Sequence, residues 1–155
     1  MKKGQAFDTM MLVIGVIVAV AILAILLNIL HIIQLPGNDA KSEIRALMSK
    51  VYTNGVGIES KDNVKFSNTD AIFKADAIGS LPIAIKDISF VCISGESCSA
   101  ETDPVTVTSS SIVGKQAIDM AVAVCINSQT ETYLIAVGQR LSAVRDGAAS
   151  LCGLS

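Results

Sequence analysis

The residues on which most enzyme mechanisms depend are scarce in this chain. Its 155 residues include no Trp, four Phe, two Tyr and a single histidine, His31, which lies inside a long apolar segment. Without another histidine, the chain lacks the elements of a His-based catalytic triad. It also contains no GxSxG, phosphate-loop or HExxH motif. We therefore expect a protein that is not an enzyme and needs no cofactor.

Clustered positive charge is missing as well. From Pro36 onward the chain has ten Lys and Arg against thirteen Asp and Glu, and no group of basic residues stands together. Phosphate backbones are bound by clustered Lys and Arg, so nucleic acid is not an expected partner. The chain also has no Asn-x-Ser/Thr sequon.

One long apolar segment dominates what is present. Met10–Ile33 covers twenty-four residues without a charge. A transmembrane helix needs about 20 apolar residues, so this segment is long enough to cross a bilayer. It has no polar face, which is typical of a helix surrounded by lipid or by other helices.

Two lysines precede this segment and orient it. The positive-inside rule keeps Lys2 and Lys3 in the cytoplasm and places the residues after the segment outside. The alternative is an ordinary cleaved secretory signal, with Ala19-Val20-Ala21 as a small-x-small site. Such signals have an apolar region of about 7–15 residues, and this segment is much longer. We therefore expect a single-pass membrane precursor with a cytoplasmic N-terminus.

The N-terminus resembles the class III signal peptide of archaeal type IV pilin-like proteins. The resemblance rests on Lys2-Lys3-Gly4-Gln5, on the early acid Asp8 and on the uninterrupted apolar segment behind them. It implies that a prepilin peptidase cuts between Gly4 and Gln5 on the cytoplasmic side. The apolar helix would then stay in the mature subunit, and copies of it would pack in the core of a filament.

Asp8 has two interpretations. We expect it in the first turn of the helix, where the positive end of the helix dipole favours a carboxylate. In the second interpretation Asp8 pairs with the new amine of Gln5 on a neighbouring subunit and sets the axial register. The family pattern has a small hydroxyl residue and then Glu at the fifth mature position. Here Phe7 precedes Asp8, and the acid is one place early.

Small and polar residues interrupt the apolar helix at a few positions. Gly15 and three alanines, Ala19, Ala21 and Ala24, offer places where another backbone can approach closely, although transmembrane helices are rich in Gly and Ala in any case. Asn28 and His31 either form hydrogen bonds in a helix bundle or lie at the outer membrane interface.

All four cysteines lie after the apolar segment, and we expect them to form disulfides. An even number on the far side of a membrane favours disulfides. A metal site is not expected, because Cys92 and Cys98 are six residues apart and no histidine accompanies them. A Cys92–Cys98 bond would close the turn Ser94–Ser97, and a Cys125–Cys152 bond would tie down the C-terminus. Four cysteines allow three pairings, so the connectivity stays open.

Residues 36–155, called the head below, begin with a helical periodicity. Pro36-Gly37 should break the first helix, and a second helix, capped by Asn38 or Asp39, should run to Asn54. One face of this helix carries Ile44, Leu47, Met48, Val51 and Tyr52. Its other face carries Lys41, Glu43, Arg45 and Lys50.

A period of two then predicts strands at residues 64–66, 71–78, 81–94, 105–107, 118–126 and 133–137. A change of parity near Lys86-Asp87 indicates a bulge or break, and Ser109–Ser111 is a polar break. The last two strands should form an antiparallel hairpin, and residues 139–155 a short helix or an irregular clasp. We therefore predict an α+β fold: a long hydrophobic helix, a short amphipathic helix and a small antiparallel, disulfide-stapled sheet.

The expected organisation is a leader at residues 1–4, a membrane or filament-core helix at 5–35 and an extracellular head at 36–155. The resemblance implies a structural subunit of a type IV pilus-like filament on the cell surface, serving adhesion or attachment. Its partners would be the membrane before assembly, the peptidase and other copies bound through residues 5–35. The alternative is a non-polymerising membrane-anchored binding or stator protein.

Overall fold

The long helix α1 (Lys3–Ile32) and the head belong to separate compact units, residues 1–35 and 36–155. The computed structural model describes the backbone of residues 3–32, 39–55 and 57–154, and the side chains of α1 from Phe7 to Leu27. α1 has 30 residues, which makes it about 45 Å long. The predicted break at Pro36-Gly37 and the last predicted helical residues, 33–35, lie outside the described residues.

The second helix, α2 (Ala40–Asn54), follows its predicted bounds closely. Ile44, Leu47, Met48 and Val51 are buried, as their spacing predicts. Gly55 ends the helix with φ +78°, a conformation that glycine adopts without a steric cost. Asp39 occupies the N-cap position, but its carboxylate accepts a hydrogen bond from the Ser42 hydroxyl and caps no backbone amide.

Two residues of α2 depart from the predicted faces. Tyr52, placed on the apolar face, is 41% exposed. Glu43, placed on the solvated face, is buried, and its Oε1 lies 2.5 Å from Nζ of Lys61. The ion pair compensates for the loss of water around the carboxylate, which explains how an acid is accommodated beside the core.

Seven strands and two further helices follow in the described part of the head. In chain order they are β1 (Ile58–Phe66), β2 (Ala71–Phe73), α3 (Lys74–Ile78), β3 (Ile88–Cys92), β4 (Val105–Val107), β5 (Ser111–Gly114), β6 (Ile118–Asn127), β7 (Thr132–Gly138) and α4 (Leu141–Leu151).

The strands form two sheets, and the predicted α+β class is confirmed. The larger sheet has the order β1-β6-β7-β3, and the smaller one β2-β5-β4. β6 and β7 form the predicted antiparallel hairpin. One pair departs from the antiparallel prediction: β3 lies parallel to β7, with Ile88 opposite Tyr133. The larger sheet is therefore mixed.

Both faces of the larger sheet are covered, and β6 contributes to both. Met120, Val122 and Val124 are fully buried in the main core, together with α2, α3 and the smaller sheet. The alternate residues Ala121, Ala123 and Cys125 are fully buried against α4 on the opposite face. The alternation in β6 thus separates a core of large side chains from a thin, alanine-rich layer beneath α4.

Four predictions about local structure are wrong in part. Residues 74–78, predicted as a strand, form α3. The Asp76 carboxylate accepts a hydrogen bond from the Phe73 amide at 3.0 Å, which favours a helical turn there. The strand predicted at 81–94 is confirmed only as β3, and a 3-10 turn at Ile85–Asp87 provides the predicted break. β1 begins at Ile58, earlier than predicted. The supposed polar break at Ser111 starts β5.

Candidate assembly interface

The apolar surface of α1 is exposed all around the helix. Every described side chain from Phe7 to Leu27 is exposed, and the large apolar ones have exposed fractions between 50% and 68%. This stretch has a mean hydropathy of 3.3 and is the one helix in the described residues long and apolar enough to cross a membrane. A signal sequence near an N-terminus meets the same criterion.

The exposed apolar side chains of α1 can be expressed as a free energy of transfer from water. Fully burying one large apolar side chain stabilises a protein by about 1.5–3 kcal/mol. Fifteen such side chains are exposed on α1, so removing them from water carries a gross transfer free energy of tens of kcal/mol. Lipid or other apolar helices around α1 would remove this surface from water.

Gly15 is a small, exposed residue in the middle of α1. A Cβ at this position would meet no atom within 4 Å, so the space beside it is open. Ala19 lies four residues later, on the same side of the helix, and is also exposed. Small residues spaced in this way allow two helix backbones to approach each other in an apolar environment.

Asp8 is exposed but lies deeper in the helix than predicted. α1 begins at Lys3 and has no acid in its first turn, so the placement of Asp8 in that turn is wrong for the uncut chain. The difference arises because the leader residues Lys3 and Gly4 extend the helix toward the N-terminus. A chain beginning at Gln5 would have Asp8 as its fourth residue, back in the first turn.

Four other predicted positions on α1 are described by backbone alone. Gly4 and Gln5, which flank the predicted cut, both lie in the first helical turn. Asn28 and His31 belong to the last two turns. The side chains of Gln5, Asn28 and His31 are outside the described residues, so the roles predicted for them stay predictions.

The head contains both of the disulfides that were considered. Cys92 and Cys98 are bonded across the predicted turn, in which Gly95 has φ +82°. Cys125 of β6 is bonded to Cys152, directly after α4. Asn127 Nδ2 also donates to the Leu151 carbonyl at 3.1 Å, beside that second bond. Disulfides are typical of extracellular and other oxidising compartments.

One buried charge in the head was missed by the sequence analysis. Glu96 lies in the loop closed by Cys92 and Cys98, and its side chain is 1% exposed. Its carboxylate accepts hydrogen bonds from the amides of Gln139 and Arg140, at 2.5 and 2.9 Å, and from Arg140 Nε at 2.9 Å. No local pattern indicates this contact, because its partners are more than forty residues away in sequence.

Hydrogen bonding determines the ionisation of Glu96. Burial raises the pKa of the carboxyl group, but the bonds from the Arg140 side chain and from the amides of Arg140 and Gln139 outweigh burial, so the pKa is lowered. Glu96 is therefore ionised at neutral pH in spite of its burial. A buried carboxylate with three donors ties its loop firmly to the residues that supply them.

Two of the grooves on the head surface lie beside α2 and beside the end of β1. One, of about 320 Å³, lies between α2 and residues 78–81, with Arg45 and Leu81 in its wall. The other, of about 410 Å³, lies beside Phe66, Ser67 and Asp70. In the described ranges, no group of three His, Cys, Asp or Glu residues has the arrangement needed to hold a metal ion.

Comparison with known proteins assigns no family to the chain. No protein-family model, no curated protein and no solved structure matches it. Its function is therefore inferred from its own residues, above all from α1.

Proposed function

We propose that this chain is a structural, non-enzymatic subunit of an extracellular type IV pilus-like filament. In this proposal many copies pack their α1 helices into the filament core and present their heads at its surface. The observation that carries the proposal is the apolar surface of α1, which is exposed on every side from Phe7 to Leu27. A helix that lacks a polar side is suited first to lipid and then to copies of itself.

The leader supports a route from membrane to filament. Lys2 and Lys3 hold the N-terminus in the cytoplasm while α1 spans the bilayer. A prepilin peptidase then cuts between Gly4 and Gln5, which removes the lysines and leaves an amine at Gln5. Loss of the two charges lowers the cost of moving the end of the helix out of the interface and into a helical assembly.

Asp8 and Gly15 would guide the packing of neighbouring helices. The new Gln5 amine of one subunit would meet Asp8 of another, because a carboxylate in an apolar assembly is costly unless it is paired. Gly15 and Ala19 would let the two backbones approach. The ion pair would determine the axial offset, and the small residues the distance between helices.

The head would be the part of the subunit that meets the environment. Its two disulfides fit an extracellular location, and they would preserve the fold outside the cell without chaperones. Adhesion or surface attachment is the task that we assign to a filament displaying many such heads.

A permanent membrane anchor is the second candidate. It is favoured by Asp8, which stands one place earlier than the acid of the family pattern. An uncut chain would keep Lys2 and Lys3 at the cytoplasmic surface and hold the head outside as a binding or stator module. The two candidates differ in whether residues 1–4 are removed and in whether copies polymerise.

Intact mass and electron microscopy of native material distinguish the candidates. We expect the native protein to lack Met1–Gly4, and sheared cell-surface material to contain filaments labelled by an antibody against the head. An intact leader without filaments would establish the anchor instead. A soluble monomer lacking Met10–Ile33 would overturn both, since the apolar segment would then have been a removable export signal.

A further inference from the structure

The Cys92–Cys98 loop of the head reaches across to the start of α4. Glu96 extends from this loop, and its carboxylate contacts the amides of Gln139 and Arg140 just before α4 begins. Glu96 packs closely against Gly138, because a Cβ on Gly138 would lie 2.8 Å from Cγ of Glu96. The loop and the N-terminal end of α4 therefore fit together closely.

The fully buried layer between α4 and the sheet is built largely from small side chains, with larger ones such as Leu134 and Leu141 partly buried at its border. The sheet residues beneath it include Ala121, Ala123 and Ala136, and α4 contributes Val144 and Ala148 to the same buried layer. Alanine buries far less apolar area than Leu or Ile, so this layer contributes less to stability than the main core. Covalent and polar links at the two ends of the helix add to this packing.

The two ends of α4 are attached by different means. At the C-terminal end, the Cys125–Cys152 disulfide joins the helix covalently to β6. At the N-terminal end, Gln139 and Arg140 donate hydrogen bonds to the Glu96 carboxylate. The Glu96 loop is itself closed by the Cys92–Cys98 disulfide.

We propose that Glu96 is a latch that couples closure of the Cys92–Cys98 disulfide to docking of the N-terminal end of α4. With the disulfide closed, the loop holds the carboxylate against the two amides. With it open, the loop gains conformational freedom, and holding the carboxylate in place costs entropy. The coupling is reciprocal, so a docked α4 favours disulfide closure by the same factor as closure favours docking.

The chemistry of closure needs an external oxidant. The thiols of Cys92 and Cys98 lose two protons and two electrons as their sulfur atoms join. A soluble disulfide, such as oxidised glutathione, accepts the electrons and protons and leaves as two thiols through a mixed-disulfide intermediate. Cys92 is partly exposed, whereas Cys125 and Cys152 are buried. Thiol–disulfide exchange with glutathione should therefore occur at the Cys92–Cys98 pair before the Cys125–Cys152 pair.

The test uses the full chain in detergent micelles and two readouts. Hydrogen exchange reports opening of the hydrogen-bonded amides 139, 140 and 144, and differential alkylation in glutathione buffers reports the closure constant of Cys92–Cys98. We expect Glu96→Gln to speed exchange of those amides at least tenfold and to lower the closure constant by the same factor. A tenfold change corresponds to about 30 mV for a two-electron couple.

Three further variants complete the test. Glu101→Gln, a matched change at an exposed acid in the next turn, should leave both readouts unchanged. Replacing Cys92 and Cys98 with Ser should speed hydrogen exchange of the same amides that Glu96→Gln affects. Combining this replacement with Glu96→Gln should increase the exchange rate little further. The variant with Ser at both cysteines keeps Glu96, so it tests the latch even if Glu96→Gln folds poorly.

Some outcomes would overturn the latch. Exchange at amides 139, 140 and 144 that does not change when the Cys92–Cys98 bond is absent means that the loop does not hold α4. A closure constant unaffected by Glu96→Gln means that docking and disulfide formation are independent. The latch concerns the head alone, so these outcomes leave the filament proposal untouched.

Discussion

The carboxylate of Glu96 and the Nε of Arg140 lie 2.9 Å apart, although 44 residues separate them in the chain. The pair is asymmetric, because the Arg140 side chain is 73% exposed and that of Glu96 is 1% exposed. Removing the arginine therefore leaves a buried carboxylate that still has two amide donors. Removing the carboxylate leaves two amides without their partner, so the two changes should differ in cost.

The pH dependence of stability should reveal Glu96. Its folded-state pKa is held below the ordinary value of 4.5. A depressed pKa contributes stability that is fully present above the unfolded value and is lost as pH falls through the folded value. We expect Glu96→Gln to be less stable than the parent at pH 7, with the difference shrinking below pH 4.5. Chemical unfolding across this range measures it, and a constant difference would contradict the assignment.

Loss of the Cys125–Cys152 bond should lower the stability of the head substantially. The bond spans 27 residues, and closing a loop of that length contributes about 3.5 kcal/mol in the chain-entropy model. Replacing both cysteines with Ser should therefore shift the denaturant midpoint of the head downward. The control is full reduction, under which variant and parent should become equal in stability. A difference that survives reduction would point to packing and not to the covalent link.

Gly138 and Gly147 form a matched pair for testing the fit of α4. A Cβ on Gly138 would lie 2.5 Å from Val144 Cγ2 and 2.8 Å from Glu96 Cγ. Both neighbours are held in place, so we expect Gly138→Ala to cost about 1–3 kcal/mol. A Cβ on Gly147 would chiefly meet the movable end of Ile93, at 2.8 Å, and Ala favours helix by about 1 kcal/mol. Thermal unfolding should therefore rank Gly147→Ala as clearly more stable than Gly138→Ala.

Asp8 should matter for assembly and not for membrane insertion. If it pairs with the Gln5 amine of a neighbour, Asp8→Ala removes the pair and should abolish filaments while the precursor still enters the membrane. Asp8→Asn removes the charge but keeps the size of the side chain, and it should also fail to form filaments. Microscopy of sheared material and membrane fractionation provide the two measurements. Normal filaments from Asp8→Ala would refute the pairing.

Gly15 should tolerate a large side chain in lipid but not in a filament. Gly15→Ile keeps the segment apolar, so insertion should persist, but the added bulk should prevent close approach of a neighbouring helix. Val16→Ile adds apolar volume at the adjacent position, on a different side of the helix, and serves as the control. Equal filament yields from the two variants would show that Gly15 does not lie at a helix contact.

Local patterns predicted most of the elements that depend on neighbours in the chain. The apolar run predicted α1, the helical period predicted α2, and alternation on both sides of the Asn127 turn predicted the β6–β7 hairpin. The helical turn of α3 and the strand β5 were missed. At α3, the hydrogen bond that the Asp76 carboxylate accepts from the Phe73 amide favours a helical turn over the strand that the pattern predicts. At β5, the hydroxyl-rich sequence gives no strand pattern, although three of its residues pair with β2.

The sequence by itself determined that one segment is long and apolar enough to cross a membrane and that the rest has the pattern of an α+β head, because hydrophobicity and the periods of 3.6 and 2 are properties of adjacent residues. Only the tertiary structure decided that β3 runs parallel to β7, which cysteines pair, and that Glu96 reaches the start of α4. Those features depend on contacts between residues far apart in the chain, and such contacts arise only when the whole head packs.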